Sequence, residues 1–217
     1  MKYTDIIWDF NGTVIDDVDV GIRSVNKMLS ERALPTIPDR ESYRRVFGFP
    51  IIEYYRRLGF DLDSEPFELL APLWVEEYNK NSAGISLRER VRELIELFAS
   101  RRVRQHVISA TERSMLEGQL KQFGLYAFFD DVRGLDNIHA ASKTAIAEIW
   151  RHEHKEALAL FIGDTEHDFD TARAIGADCV LVGGGHRPTD ALALCRCPVF
   201  DSPSALYEAI VSDSFRV

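Results

Sequence analysis

At 217 residues, 46% hydrophobic and 28% charged, the chain is long enough to bury one substantial core and carry an accessory lobe. Its formal net charge of −9, with basic clusters no denser than Arg101, Arg102 and Arg104, argues against nucleic acid as a natural partner. No stretch reaches the roughly 18 apolar residues of a membrane span, the first residues lack the apolar region of a secretory signal, and three cysteines suit no disulfide framework. The chain therefore reads as cytoplasmic, with reduced thiols and no membrane partner.

In chain order, Ile6-Ile7-Trp8 opens a short buried strand, predicted over Ile6–Phe10, and Asp9 falls at its end, where parallel α/β sheets place ligands and chemistry. Gly12 allows a sharp turn beside it. Val18, Ile22, Val25 and Leu29 then mark one helix face, stopping before Leu34-Pro35. Ile51, Tyr55 and Leu58 mark a second, ended by Gly59, and Phe67, Leu70, Trp74 and Tyr78 a third. No strand interrupts them, so residues 17–83 read as a helical domain inserted between residues 1–16 and 84–217, with residues 79–84 as the return linker. Ser86-Leu87-Arg88-Glu89 has the spacing of a capping box and predicts a helix with Leu87, Val91, Leu94, Ile95 and Phe98 turned inward.

Further strands are predicted at Gln105–Ser109, Phe128–Val132, Leu158–Ile162, Cys179–Val182 and Pro198–Phe200. Helical patterns alternate with them, one carrying Met115, Leu116, Leu120 and Phe123 before Gly124. The alternation predicts an α/β fold, a three-layer, Rossmann-like parallel sheet core, with the all-helical insertion added to it.

Candidate chemistry gathers at the strand ends. Ser109, with Ala110-Thr111 predicted to begin the next helix, offers a hydroxyl and fresh amides to an anion, although a plain helix cap needs the same residues. Lys143 opens the helix Lys143–Trp150, and a cation there opposes the macrodipole unless an anion sits beside it. Gly163-Asp164-Thr165-Glu166-His167-Asp168 sets two carboxylates four residues apart after a buried run. That arrangement suits Mg²⁺, or else a turn held by aspartate side chains. The six histidines, His186 among them, show no zinc-ligand spacing, and Cys195-Arg196-Cys197 has no partner cluster.

Asp9-Phe10-Asn11-Gly12-Thr13, Ser109, Lys143 and Gly163-Asp164-Thr165 with Asp168 stand in the order and spacing of the four motifs of the haloacid dehalogenase-like superfamily. The chain resembles, over essentially its whole length, that superfamily's small-cap phosphatases, which include phosphoglycolate phosphatase. Val46-Phe47-Gly48-Phe49-Pro50 adds to the likeness. The resemblance implies that Asp9 is a nucleophile forming an aspartyl-phosphate. It implies Mg²⁺ on Asp9, the Asn11 backbone carbonyl and Asp164, with Asp168 assisting through water or holding Asp164. Ser109, the Ala110 amide and Lys143 would grip phosphate, Lys143 would keep Asp9 ionised, and Gly48 would meet substrate from the cap. Arg44, Arg45, Arg56 and Arg57 are candidates for a second anionic group, or a solvated helix face.

One residue departs from the pattern. The phosphatases carry aspartate where this chain has Asn11, and that acid protonates the leaving oxygen and then activates water. An amide does neither, and general acid–base help is worth roughly 10²–10⁴ in rate. The expectation is a Mg²⁺-dependent phosphohydrolase acting on a small phosphorylated metabolite, slow or confined to good leaving groups such as acyl or aryl phosphates. Two readings stand beside it: a catalytically weak phosphometabolite-binding or regulatory protein, and a carbon–phosphorus or carbon–halogen hydrolase on the same scaffold. The lysines that carbon–phosphorus chemistry would need, Lys27 and Lys80, read as surface residues.

Overall fold

A computed structural model describes residues 2–135 and 142–217. The first strand, β1 (Asp5–Trp8), is buried along its whole length, which a strand achieves only at the centre of a sheet covered on both faces. The chain continues through β2 (Ile15–Asp16), α1 (Val18–Glu31), α2 (Arg40–Val46), α3 (Ile51–Arg57), α4 (Phe67–Asn81), β3 (Ser86–Leu87) and α5 (Val91–Ser100). It then alternates regularly: β4 (Arg104–Glu112), α6 (Arg113–Gln122), β5 (Asp131–Leu135), α7 (Lys143–Glu153), β6 (Ala159–Gly163), α8 (Glu166–Ala174), β7 (Asp178–Val182), α9 (Thr189–Leu192), β8 (Val199–Phe200) and α10 (Pro203–Val211).

Six strands form one parallel sheet in the order β5-β4-β1-β6-β7-β8, with Asp5 registered against Arg104 on one side and Ala159 on the other. Period-two alternation divides the core: Ile6, Trp8, Val107, Leu160 and Ile162 belong to one buried cluster, and Ile7, Ile108, Phe161 and Leu181 to another. The chain order reverses beside β1, the switch point where open α/β sheets hold their ligands. The expected α/β class and parallel sheet are present.

The helices after β2 have a third cluster of their own, built on Val25, Leu29, Tyr43, Tyr54, Tyr55 and Leu70. Three of the four helices match the predicted faces. The fourth, α2, buries only Tyr43, and its start is marked by the Asp39 side chain accepting from the Ser42 amide at 2.7 Å.

Three local expectations are corrected. Ser86-Leu87 does not open a helix: it pairs antiparallel with Ile15-Asp16, and Arg88 donates its amide to the Val14 carbonyl, so α5 waits until Val91. The first strand partner of β1 runs on past Ser109 to Glu112, with a register shift against β5 between Ile108 and Glu112. Phe128 closes a 3-10 turn (Tyr126–Phe128), which delays β5 to Asp131. Among the described residues no helix is long and apolar enough to cross a membrane.

Candidate active site

Asp9, directly after β1, Lys143, at the first turn of α7, and Asp164 and Asp168, around the start of α8, converge at the carboxyl ends of the central strands. All four are at least nine-tenths buried. The Lys143 ammonium donates to Asp9 Oδ1 and to Asp168 Oδ1. Asp168 Oδ2 accepts from the Asp164 amide at 3.0 Å, the Thr165 amide at 2.9 Å and the Thr165 hydroxyl at 2.8 Å. Thr165 and Asp168 thus form a reciprocal capping box at α8, which fixes the turn that carries Asp164. Asp164 in turn accepts from the Thr13 hydroxyl at 2.9 Å and the His186 amide at 2.6 Å. Gly12 has a positive φ of 73°, and a Cβ there would run into the Asp164 carboxylate and the His186 ring.

Three buried carboxylates face one ammonium, and their titration follows. Burial pushes the Asp9 pKa well above the ordinary carboxylate range; Lys143 opposes this, but Asp168 and Asp164 add to it. The expected influence of Lys143 on Asp9 is therefore present and outweighed. Asp164 is also raised, by burial first, against the pull of His186. Asp168 is lowered, because Lys143 and the Thr165 donors overcome its burial. A carboxylate oxygen from each of Asp9, Asp164 and Asp168 lies within 4.8 Å of the others. An all-oxygen donor set with surplus buried negative charge fits a hard divalent cation.

Asn11 sits in a second buried network that sequence reasoning missed. Its Nδ2 donates to Asp17 Oδ2 at 2.7 Å and lies 3.1 Å from Tyr78 Oη; its Oδ1 accepts from the Thr111 hydroxyl at 2.5 Å. Asp17 Oδ1 accepts from the Gly12 amide at 2.9 Å and pairs with His186 Nε2 at 3.2 Å, and Tyr78 Oη donates to Asp17 Oδ2 at 2.8 Å. Tyr43 Oη completes the chain against His186 Nδ1 at 2.9 Å. Burial alone would lower the His186 pKa, but the charges of Asp17, Asp164 and Asp9 push it up to about 9. The converse contacts lower Asp17 in spite of its burial. His186 showed no ligand spacing because its partners are carboxylates and a tyrosine from distant segments.

Ser109 and Ala110 line the cavity, but not from a helix start. α6 begins at Arg113, and its first free amides, on Ser114 and Met115, are taken by the Glu112 side chain. Ser109 Oγ instead donates to Thr111 Oγ1 at 3.1 Å and accepts from the Thr111 amide at 3.1 Å, so it braces the residue that orients Asn11. Gly48 is not among the cavity-lining residues; its neighbours Phe47 and Phe49 are. The cavity holds about 250 Å³, with the carboxylates at one end and side chains from the helical lobe at the other. A larger groove, beside Lys2, Tyr3 and Asp178, lies at the opposite end of the strands.

Two arginines fasten the helical lobe over the sheet. Arg44 of α2 donates to the carbonyls of Gly185 (2.8 Å) and Gly184 (2.7 Å) in the loop after β7. Arg187, from that same loop, donates to the carbonyls of Arg44 (3.0 Å) and Phe47 and holds Glu166 through two nitrogens. Arg88 donates to the Gly12 carbonyl and, at 2.7 Å, to that of Gly183, tying the two loops that flank Asp9. Arg45 and Arg56 pair with Glu41 and Glu53, and Arg57 donates to the Val46 carbonyl. Lys27 and Lys80 are exposed and paired with Glu31 and with Glu76 and Glu77, in keeping with the surface reading.

A strand-end aspartate, a buried lysine and an acidic turn thus meet at the carboxyl ends of a parallel sheet, beneath helices that follow the first strand. The chain belongs to the haloacid dehalogenase-like hydrolase family, whose sequence pattern matches residues 6–182. It is 23% identical over 209 residues to the phosphoglycolate phosphatase of Synechococcus elongatus, covering 94% of this chain and 96% of that one. Its fold is similar to a haloacid dehalogenase-like family protein of Streptococcus pneumoniae, with a TM-score of 0.78 at 21% identity over 95% of this chain and 98% of that one. It is also similar to a variant of CbbY from Rhodobacter sphaeroides solved with xylulose-(1,5)bisphosphate, with a TM-score of 0.69 at 20% identity over 94% and 96%.

Proposed function

We propose that the chain is a Mg²⁺-dependent phosphohydrolase of small phosphorylated metabolites, working in the cytoplasm, with Asp9 as its nucleophile. One observation carries this reading: a fully buried lysine, Lys143, holds Asp9 and Asp168 together at the sheet's switch point. A structural ion pair has little need of two further buried acids at the carboxyl ends of the strands, whereas phosphoryl transfer needs both charges.

Asp9 attacks phosphorus and becomes an aspartyl-phosphate. Lys143, which donates to Asp9 and Asp168, offers its remaining donor capacity to a phosphate oxygen, with Ser109 and Ala110 bordering the same space. Asp9, the Asn11 carbonyl and Asp164 would hold the metal, with Asp168 fixing the Asp164 turn. A bound Mg²⁺ would neutralise charge on the transferring group. The separate hydrophobic cluster of α1–α4 supports reading residues 17–83 as a cap on a core of residues 1–16 and 84–217.

The test is turnover of p-nitrophenyl phosphate and acetyl phosphate, with and without Mg²⁺, by this chain and by Asp9→Ala. Metal-dependent turnover that disappears in Asp9→Ala is expected. Turnover no greater than that of Asp9→Ala on both substrates would leave a phosphometabolite-binding protein instead.

A further inference from the structure

The cavity has two chemically distinct ends. The polar end carries Asp9, Ser109, Lys143 and Asp164; the other is walled by Phe47, Phe49, Tyr54, Tyr55, Phe67 and Trp74, with aliphatic side chains between them. Among the described residues no arginine lines it. Its lysine stands at the polar end between Asp9 and Asp168, away from the rings, and its histidine is held by Asp17 and Tyr43. The four arginines that could have received a second anionic group are all engaged with carbonyls or glutamates outside the cavity. A carboxylate or second phosphate at the walled end would find neutral tyrosine hydroxyls such as that of Tyr54 but no cation among the described residues, which leaves its charge uncompensated and unfavourable.

The leaving group meets a second constraint. Asn11 has no proton to give, and both ends of its amide are already hydrogen-bonded. With no acid at position 11, the site favours a leaving oxygen that can depart as an anion. A phenol ionises near pH ~10, so phenolate leaves readily where an aliphatic alkoxide does not. Size agrees as well: an apolar cavity of about 150 Å³ accepts benzene, and about 250 Å³ accommodates one ring beside a phosphate.

We infer that this site takes phosphate monoesters of phenols, its aromatic walls holding the aryl ring and its polar end the phosphate. The inference rests on the phosphohydrolase reading above. In the first step an Asp9 oxygen bonds to phosphorus and the phosphorus–oxygen bond to the ring breaks. Its electron pair leaves on the phenolate, which takes a proton from solvent. Water then bonds to phosphorus, the bond to Asp9 breaks with its pair returning to the carboxylate, and the water's proton passes to solvent. The sum is ester plus water giving phenol plus inorganic phosphate.

The experiment compares acetyl phosphate, phenyl phosphate, 2-phosphoglycolate and glycerol phosphate with Mg²⁺ present, and adds calorimetric titration with phenylphosphonate and phosphonoacetate. Phenyl phosphate is expected to exceed both aliphatic esters in kcat/KM by about 10² or more, and phenylphosphonate to bind at least about tenfold tighter than phosphonoacetate. Phe49 is 38% exposed and stacks on His167 at 4.4 Å, so Phe49→Ala tests the wall without threatening the fold. In that variant the kcat/KM ratio of phenyl to acetyl phosphate should fall several-fold. Turnover of acetyl phosphate with no preference for phenyl over 2-phosphoglycolate would overturn the aryl inference and leave the hydrolase standing. With no turnover at all the hydrolase reading fails, and the phosphonate titration still decides: equal binding of the two rejects the aryl pocket.

Discussion

Asp17 receives four donors: the Asn11 amide, the Gly12 backbone, the Tyr78 hydroxyl and the His186 ring. An aspartate at position 11 would set a second carboxylate against it, where Asn11 Nδ2 now stands at 2.7 Å. The surroundings are thus built for an amide at this position, and Asn11→Asp alone is not a simple restoration of the missing acid. Asn11→Asp and Asp17→Asn should each cost about 1–3 kcal/mol in urea unfolding. The exchanged pair together should recover a coupling of about 1 kcal/mol or more. Strictly additive losses would show that the two side chains do not read each other. The donors that converge on Asp17 come from residues as distant as Tyr78 and His186, which no local pattern in the sequence brings together.

At the scale of elements, strands were legible wherever a short apolar run sat between turn residues, and all six strands of the main sheet lie at or beside the predicted runs. What misled was local chemistry with two uses. Ser86 and Glu89 match a capping box, yet Ile15-Asp16 claims Ser86-Leu87 as a strand partner. The working capping box lies at Thr165 and Asp168, in a stretch whose spacing suggests metal ligands or an aspartate-held turn rather than a helix cap. Asp9, Lys143, Asp164 and Asp168, which the structure brings together, stand out in the sequence because each follows a recognisable strand or opens a helix, whereas Thr111, Tyr78 and the arginine pair act across elements. That pair yields a prediction at this scale. Arg187→Ala removes the donors to Arg44 and Phe47 and frees Glu166. Hydrogen exchange should then quicken in residues 44–49 and in 183–187 together, by about 1–3 kcal/mol of local protection. Faster exchange confined to the loop that carries Arg187 would refute a shared fastening.

Across the whole molecule, His186 joins the sheet's loop to Asp17 and to Tyr43 of α2, so its charge bears on how the two layers hold together. Burial disfavours that charge, but its carboxylate neighbours win and raise the pKa to about 9. A folded value above the ordinary ~6.5 of imidazole means the contribution is complete below about pH 6.5. It is lost as pH rises through about 9. Melting followed from pH 6 to 10 in chelator should therefore decline more steeply for this chain than for His186→Gln, by up to about 3 kcal/mol across the window. Parallel curves would remove His186 from the account. The arginine fastening has a different kind of consequence. Arg44 and Arg187 grip carbonyl oxygens, which every residue supplies, so Phe47, Gly184 and Gly185 are held without regard to their side chains. Closing the lobe and choosing what fits beneath it are thereby written in separate letters, and lineages could respell Phe47 and Phe49 for a new guest while the clasp stays shut.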